Sequence, residues 1–263
     1  MKFQSVMMKL RIHLALMCIT ALLPVAAHAQ TSVEVSGSTY DLSSGLGTHT
    51  STGIRLRHER PRDIWYLGVF REERQGVVGW LGNISNTHTL SPVWSSHLSA
   101  SATTDVFFLP TYRFDGSLAR KLGGPRAWVV TGLAMTQEWR DQHRDVGAGV
   151  NVFRFLPAGL AVEAGVMWKR TTPEDFISRR QNAGVYWYQP RRELSVRGGF
   201  GEDGFQVVSV DSVLVGFNSH DVTFRWLEWL TGNVGFGVSA TYYKNPAYHS
   251  TGYSATVVRR IGL

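Results

Sequence analysis

The chain has 263 residues, 27 basic side chains against 20 acidic ones, and a single cysteine. Its first 29 residues read as a leader whose removal takes away that cysteine together with Lys2, Lys9 and Arg11, leaving 24 basic and 20 acidic residues. Without a thiol, disulfides and thiolate metal sites are excluded, and the small basic excess, scattered along the chain, gives no nucleic-acid footprint.

The leader comes first in chain order. Lys2, Lys9 and Arg11 form a basic segment, "LALMCITALLPVAA" is a short apolar run, and "AHA" supplies the small residues that a signal peptidase reads before Gln30. The run is shorter than the ~20 residues a spanning helix needs. Cys18 follows bulky Met17 inside the apolar run, which does not suit lipid attachment. Residues 1–29 are therefore expected to be a cleaved signal peptide and 30–263 a single domain.

From there the pattern has period two. About 14 strands are predicted, at 32–42, 50–59, 64–72, 77–90, 93–104, 108–122, 126–138, 144–155, 158–169, 179–189, 193–201, 208–229, 233–243 and 251–263. Twelve to sixteen are possible if one long segment splits or two merge. In "TGIRLRHE", Ile54 and Leu56 oppose Arg55 and Arg57. In "YRFDGSLARKL", Tyr112, Phe114 and Leu118 oppose Arg113 and Asp115. "GLAVEAGVMWK" sets Val162 and Val166 against Glu163 and Lys169, and "ELSVRGGF" sets Leu194 and Val196 against Ser195 and Arg197. "VTFRW" opposes Phe224 and Trp226 to Arg225.

Short connections such as "ERPRD", "GGPR" and "QPRR" take turns with longer ones such as "REERQG", "TTDVFF", "KRTTPEDFISRRQ" and "EDGFQVVSVDS". This asymmetry predicts hairpins whose two ends face different compartments, with the short turns periplasmic.

A soluble sandwich or lipocalin-like barrel would turn the apolar face inward, and a membrane barrel turns it out to lipid. Several segments alternate for nine to eleven residues, enough for a tilted strand to cross the hydrocarbon layer. The polar face carries charges of both signs at mid-strand. The aromatics gather beside short turns: Trp65, Trp94, Trp128, Trp187, Trp226 and Trp229, six of the nine tryptophans, are expected to form an interfacial girdle. In "GVYWYQPRREL", Trp187 points to lipid at headgroup height, while Tyr186 and Tyr188 take the other face and fill the lumen rim. The expected fold is all-β, a transmembrane antiparallel up-and-down β-barrel in the outer membrane of a Gram-negative envelope, closed because lipid cannot satisfy an open sheet edge.

The expected lumen charges are Arg55, Arg57, Arg113, Asp115, Glu163, Lys169, Arg197 and Arg225. They suit a porin-like channel whose basic excess favours anions, or a barrel whose charges pair and close the pore. Lys169, Arg170, Arg179 and Arg180, read as an outer loop, would meet lipopolysaccharide phosphates. The last strand, "GYSATVVRRIGL", is the expected signal for the barrel-assembly machinery, although it ends in Leu263 and Arg259 interrupts its lipid face. His143 near Asp141 and Asp145, and His220 between Ser219 and Asp221, hold the residue types of a nucleophile–base–orienter set. Strand neighbours point to opposite faces, however, so no catalytic residue, cofactor or metal ligand is assigned. A lipid- or polysaccharide-modifying enzyme on a barrel scaffold is the alternative.

The mature chain resembles the YaiO family of outer-membrane β-barrels. The likeness runs through "SGSTYDLSSGLGTHTSTGIRLRHE", "FLPTYRFDGSLARKLG", "VRGGFGEDG" and "DVTFRWLEWLTGNVGFGVSATYYKNPAY". It implies an integral outer-membrane barrel. Some members resemble the barrels that end polysaccharide-secretion machines, where a helical-repeat domain precedes the barrel; these residues include no such repeat. The family brings no catalytic residues to carry over.

Overall fold

Residues with branched or aromatic side chains at alternate positions favour the extended, pleated backbone, because such side chains pack on a pleat without crowding a helical turn. The computed structural model describes residues 30–123, 127–140, 143–209 and 212–261. The predicted leader with Cys18, Asp141 of the candidate His143 set, and Leu263 at the C-terminus lie outside these residues. Fourteen strands follow one another: β1 Gln30–Leu42, β2 Gly47–Glu59, β3 Asp63–Arg74, β4 Val77–Thr89, β5 Trp94–Thr103, β6 Tyr112–Leu122 and β7 Trp128–Glu138. The second half comprises β8 Arg144–Phe155, β9 Leu160–Thr172, β10 Phe176–Gln189, β11 Arg192–Ser209, β12 Ser212–Trp229, β13 Val234–Lys244 and β14 His249–Ile261. A 3₁₀ turn, Pro157–Gly159, joins β8 to β9.

Every strand pairs antiparallel with its chain neighbours, and β14 returns to β1 to close the barrel. The closing ladder runs without a break from Thr31↔Ile261 to Leu42↔Ser250. It leaves no sheet edge, which is the condition for strands to lie in lipid.

Register shows which face is which. The row Val35↔Ile54↔Val69 crosses β1 to β3 on the outside, and all three side chains are exposed. The intervening Glu34, Arg55 and Gly68 occupy the inner row. The same parity puts Leu98, Phe114, Leu118, Val150, Val185, Phe200 and Phe224 outside and exposed. In a water-soluble barrel such residues would fill the interior. Here they form a continuous oily outer wall.

At the short-turn end, Trp65, Trp128 and Trp226 are exposed on this outer wall, and Trp94 and Trp187 share its parity. Arg120 lies 5.3 Å from the ring of Trp94, and Arg154 lies 4.7 Å from that of Trp128. Each cation is thus held against an aromatic face where acyl chains give way to headgroups. Trp229 departs from the expected girdle. It is three residues from Trp226, so the period-two backbone turns it inward, where its ring covers Gly235 and lies 3.6 Å beneath the Arg260 guanidinium.

The expected long loops prove to be mostly strand. "REERQG" continues β3 to Arg74 and turns through Gln75 and Gly76 alone, and "KRTTPEDFISRRQ" leaves only residues 173–175 between β9 and β10. Polar cross-strand contacts let the ladders run past the oily band. His49 and Ser51 on β2 both bond Glu72 on β3, at 2.9 and 2.7 Å. The strands predicted at 193–201 and 208–229 become two 18-residue strands, β11 and β12, so residues 202–209 and 212–215 form a paired arm in place of the expected loop. The strand predicted from 108 starts at Tyr112, because Val106 and Phe108 turn inward and are buried.

That arm and its base supply four of the twelve buried apolar residues among those described, Phe205, Val207, Val208 and Phe217. Gly201 (φ +133°) and Gly216 (φ +59°) hold backbone angles that side-chain-bearing residues rarely adopt, and beyond them the arm leans across the long-loop mouth. Phe205 stacks on His143 at 3.9 Å and meets Trp139 edge-on at 5.7 Å. Gln206 donates to the Tyr248 hydroxyl at 2.7 Å and accepts from Tyr243 and Asn245. On the far wall Arg74 donates to the carbonyls of Val207 and Val208. Phe205, Val207, Val208 and Phe217 of the arm are buried there with Val106 and Phe108 of the β5–β6 connection and Tyr248 of the β13–β14 turn. Seven of the twelve buried apolar residues therefore form a plug at the long-loop end of the barrel.

Two outcomes are expected. In bilayers of bromine-labelled lipid, a variant retaining only Trp128 is quenched strongly and one retaining only Trp229 weakly; equal quenching would contradict the inward register. A Cβ at Gly204 would collide with the Thr171 hydroxyl, so Gly204→Val is expected to cost roughly 1–3 kcal/mol of overpacking. Limited proteolysis should then cut the arm faster while the barrel keeps its compact band on an unheated gel.

Candidate functional site in the barrel lumen

The inner face is built by every second residue of all fourteen strands, so its chemistry follows from the pleat. The eight expected lumen charges all stand on inner positions. Arg55 reaches Glu34 on β1 at 3.4 Å and lies 5.5 Å from the Phe70 ring. Arg57 pairs with Glu59 along its own strand at 2.7 Å. Arg113 grips Asp115 with two nitrogens, at 2.7 and 2.9 Å, and Ser99 adds a hydroxyl donor at 3.3 Å. Arg225 is exposed and forms no ion pair among the described residues.

Glu163 is the best-satisfied carboxylate of the wall. Its side chain is 2% exposed, and it accepts hydrogen bonds from Asn151 at 2.7 Å, Asn182 at 2.8 Å, Arg197 at 3.2 Å and the Tyr186 hydroxyl. Four donors on one carboxylate offset the cost of removing it from water and tie β8, β9, β10 and β11 into one rigid panel. Lys169 leads to a cluster above it. Asp203 of the arm takes Lys169 at 3.1 Å and Arg180 at 2.7 Å, and accepts from Ser219 at 2.5 Å. Arg180 also binds Asp221. Below this cluster lies a cavity of about 210 Å³ bordered by Met167, Arg180, Asn182, Arg197 and Asp221.

The sequence pattern sets Arg180 in an outer loop, although it shares parity with Asn182 and Tyr186, the signal that places it inside. Of the four cations expected there, Lys169 and Arg180 face inward to Asp203, Arg170 pairs with Asp175 at 2.5 Å, and Arg179 stands on outward parity. Asp145, fully buried between Gln137 at 2.7 Å and Thr171 at 2.5 Å, had no local signal. Neither did Arg74, 6% exposed, whose guanidinium lies against the rings of Phe107 and Tyr248.

The two histidine clusters serve the scaffold. His143 bonds Glu174 at 2.6 Å and stacks on the arm. His220 stands on the outer wall near Tyr242, whereas Ser219 is buried inside and bound to Arg180 and Asp203. Ser219 and His220 thus lie on opposite sides of the sheet. Among the described residues no group of three His, Cys, Asp or Glu converges as metal ligands do.

Tyr186 and Tyr188 line the inner wall toward the short-turn end. Their rings are parallel within 2°, with centroids 6.1 Å apart, and Phe153 stands 5.5 Å beyond Tyr186. A Cβ on Gly184 would come within 3.0 Å of the Tyr186 ring, so the missing side chain lets that ring lie along the wall, with its hydroxyl on Glu163.

Comparison with known proteins supports this architecture. Three solved structures share it: a bacterial polysaccharide outer membrane secretin (7% identity, 90% of this chain and 100% of that one, TM-score 0.58), Omp33 of Acinetobacter baumannii (14%, 86% and 97%, TM-score 0.54), and OpdO of Pseudomonas aeruginosa (10%, 89% and 97%, TM-score 0.50). At these identities the likeness is one of fold. No curated protein sequence matches the chain significantly. The YaiO membrane beta barrel domain matches residues 30–203, which hold β1 to β10, most of β11 and the Glu163 panel. The chain is an outer-membrane β-barrel protein and belongs to the YaiO family.

Proposed function

We propose that the protein is a non-catalytic channel for small solutes, with a lumen that favours anions and a long-loop mouth closed by the β11–β12 arm. The observation that carries this reading is a contrast in exposure within one interior. Under the arm, water reaches the side chains of Arg55, Arg113 and Arg197, the last 55% exposed, while at the arm itself the apolar side chains are buried. A barrel that only closed its own charges would bury both levels alike.

The polarity follows from the pairing. Glu34, Asp115 and Glu163 are each committed to an arginine. Arg225 has no ion-pair partner among the described residues, and Arg197 gives Glu163 a single bond at 3.2 Å. Glu193 also faces inward without an ion pair among the described residues, so the preference for anions rests on Arg197, 55% exposed to the lumen while its partner Glu163 is 2% exposed. The family resemblance and the polysaccharide-related neighbour are compatible with passage of sugars or their acids. The arm suits a gate because its far end is held by Arg74 through two backbone carbonyls, with no carboxylate among the described residues to fix it. Tyr248 beside it stays neutral, its phenol pushed above the ordinary range by burial. With the long-loop end facing outward, the gate would stand at the cell surface.

Two measurements in planar bilayers test this. Hydrogen bonds to a charged group contribute about 1.5–3 kcal/mol, so Arg74→Ala is expected to raise the open fraction by roughly tenfold or more. Arg113→Glu is expected to move the reversal potential toward cation preference without closing the pore. Silence from wild type and from Arg74→Ala alike, in protein that keeps its compact gel band, would sink the channel.

A further inference from the structure

We infer that the lipid-facing wall of β8, β9 and β10 binds lipopolysaccharide of the outer leaflet, its phosphates held by a belt of three arginines, Arg144, Arg170 and Arg179. The site lies on the outside of the barrel and does not depend on the channel reading.

The belt follows from register. Arg144 on β8 pairs with Thr172 of β9, two residues beyond Arg170, and Arg179 on β10 pairs with Trp168, two residues before it. The three arginines share outward parity and are diagonal neighbours on adjacent strands, roughly 7–8 Å from one to the next. Register rows climb across the tilted strands: the row that starts at Trp65 in the girdle reaches Arg179 seven strands later. Stepping down two residues per strand offsets that climb, so the diagonal runs close to the membrane plane. Its height is set by β10, where eight residue steps separate Trp187 in the girdle from Arg179. Those steps span roughly 26 Å of strand and about 20 Å of height at the usual tilt. The belt therefore stands where the apolar band ends and headgroups begin, the depth at which an outward arginine costs little.

The charges around the belt leave it short of anions. Arg179 is exposed and forms no ion pair among the described residues; it donates from Nε at 3.0 Å to the neutral Gln181 amide, turned to present its oxygen. Arg144 is exposed too and donates to the Thr136 hydroxyl at 3.4 Å, again with no ion pair among the described residues. Arg170 pairs with Asp175, but the two side chains are 62% and 64% exposed, so water weakens that pair and a phosphate can displace it. Of the other carboxylates at this end, Glu138 accepts from the Tyr112 hydroxyl and Glu174 bonds His143. Glu202 on β11 stands exposed without an ion pair among the described residues, and exposed Lys244, on the outward parity of β13, offsets its charge.

Two guanidiniums thus lack a counter-charge, and the planar fork of each matches phosphate oxygens. Around them Trp168, Ile177 and Phe200 are exposed on the same wall, an oily bed for acyl chains. Free phosphate would leave that bed unused. A phospholipid brings one phosphate, whereas lipid A carries two on one disaccharide, which suits cations spread over three strands.

The test is native mass spectrometry of refolded protein in neutral detergent, titrated with bisphosphorylated lipid A, with lipid A stripped of its phosphates, and with phosphatidylglycerol. The bisphosphorylated form is expected to bind roughly tenfold more tightly than either other lipid, the gain of two charged contacts. Arg144→Gln and Arg179→Gln should each weaken it by roughly threefold to tenfold. Arg179→Lys, which keeps the charge and loses the fork, should recover part of that loss. Arg120→Gln, on the same wall at the opposite leaflet, should leave the affinity unchanged. Equal binding of stripped lipid A or of phosphatidylglycerol would overturn the site. So would an equal loss from Arg120→Gln, or full affinity in an Arg144→Gln, Arg179→Gln double variant that keeps its compact gel band.

Discussion

Every backbone amide of this protein that lies in lipid has to find its partner in a neighbouring strand, because acyl chains supply none. The pairing of β14 with β1 meets that demand for the whole molecule. Once the sheet is a closed tube, the pleat leaves each side chain two destinations, lipid or lumen. The valines, leucines and phenylalanines at one parity form the outer wall, and the charges and hydroxyls at the other are enclosed together.

Enclosure creates the second problem, which is how to keep ionised groups inside a narrow space. The wall solves it locally. Glu163 is held by four donors from three neighbouring strands, and Asp145 by an amide and a hydroxyl. Neither is left as a bare buried charge, the state that costs most. The mouth uses a different solution. Arg74 is held by carbonyl groups and ring faces, interactions that an arm can break and remake without stranding a carboxylate. Panel and arm meet at Asp203, a residue of the arm bound to cations of the wall.

Much of this is legible in single positions. The alternation of Ile54 with Arg55, or of Val162 with Glu163, identifies both faces, and the strand count follows from how often such runs restart. Trp65 and Trp128 are recognisable beside their turns. Trp229 shows where proximity to a turn fails as a guide, since parity from Trp226 outweighs it. "EDGFQVVSVDS" and "KRTTPEDFISRRQ" resemble loops because their glycines, charges and proline obscure the period. Among the described residues they are strand except at 173–175, because polar inner contacts carry the ladder onward where lipid no longer requires it.

The sequence by itself determined the closed membrane barrel, its outward oily face and the inner position of its charges, because these depend on a two-residue period and on the chemistry of the surrounding solvent. Only the tertiary structure decided that Arg74 meets Val207 and Val208, that Asp203 gathers Lys169 and Arg180, and that the arm bridges the mouth. These contacts join residues up to 134 positions apart in the chain. Their partners are set by barrel circumference and by the bend at Gly201 and Gly216, and neither leaves a mark on local periodicity.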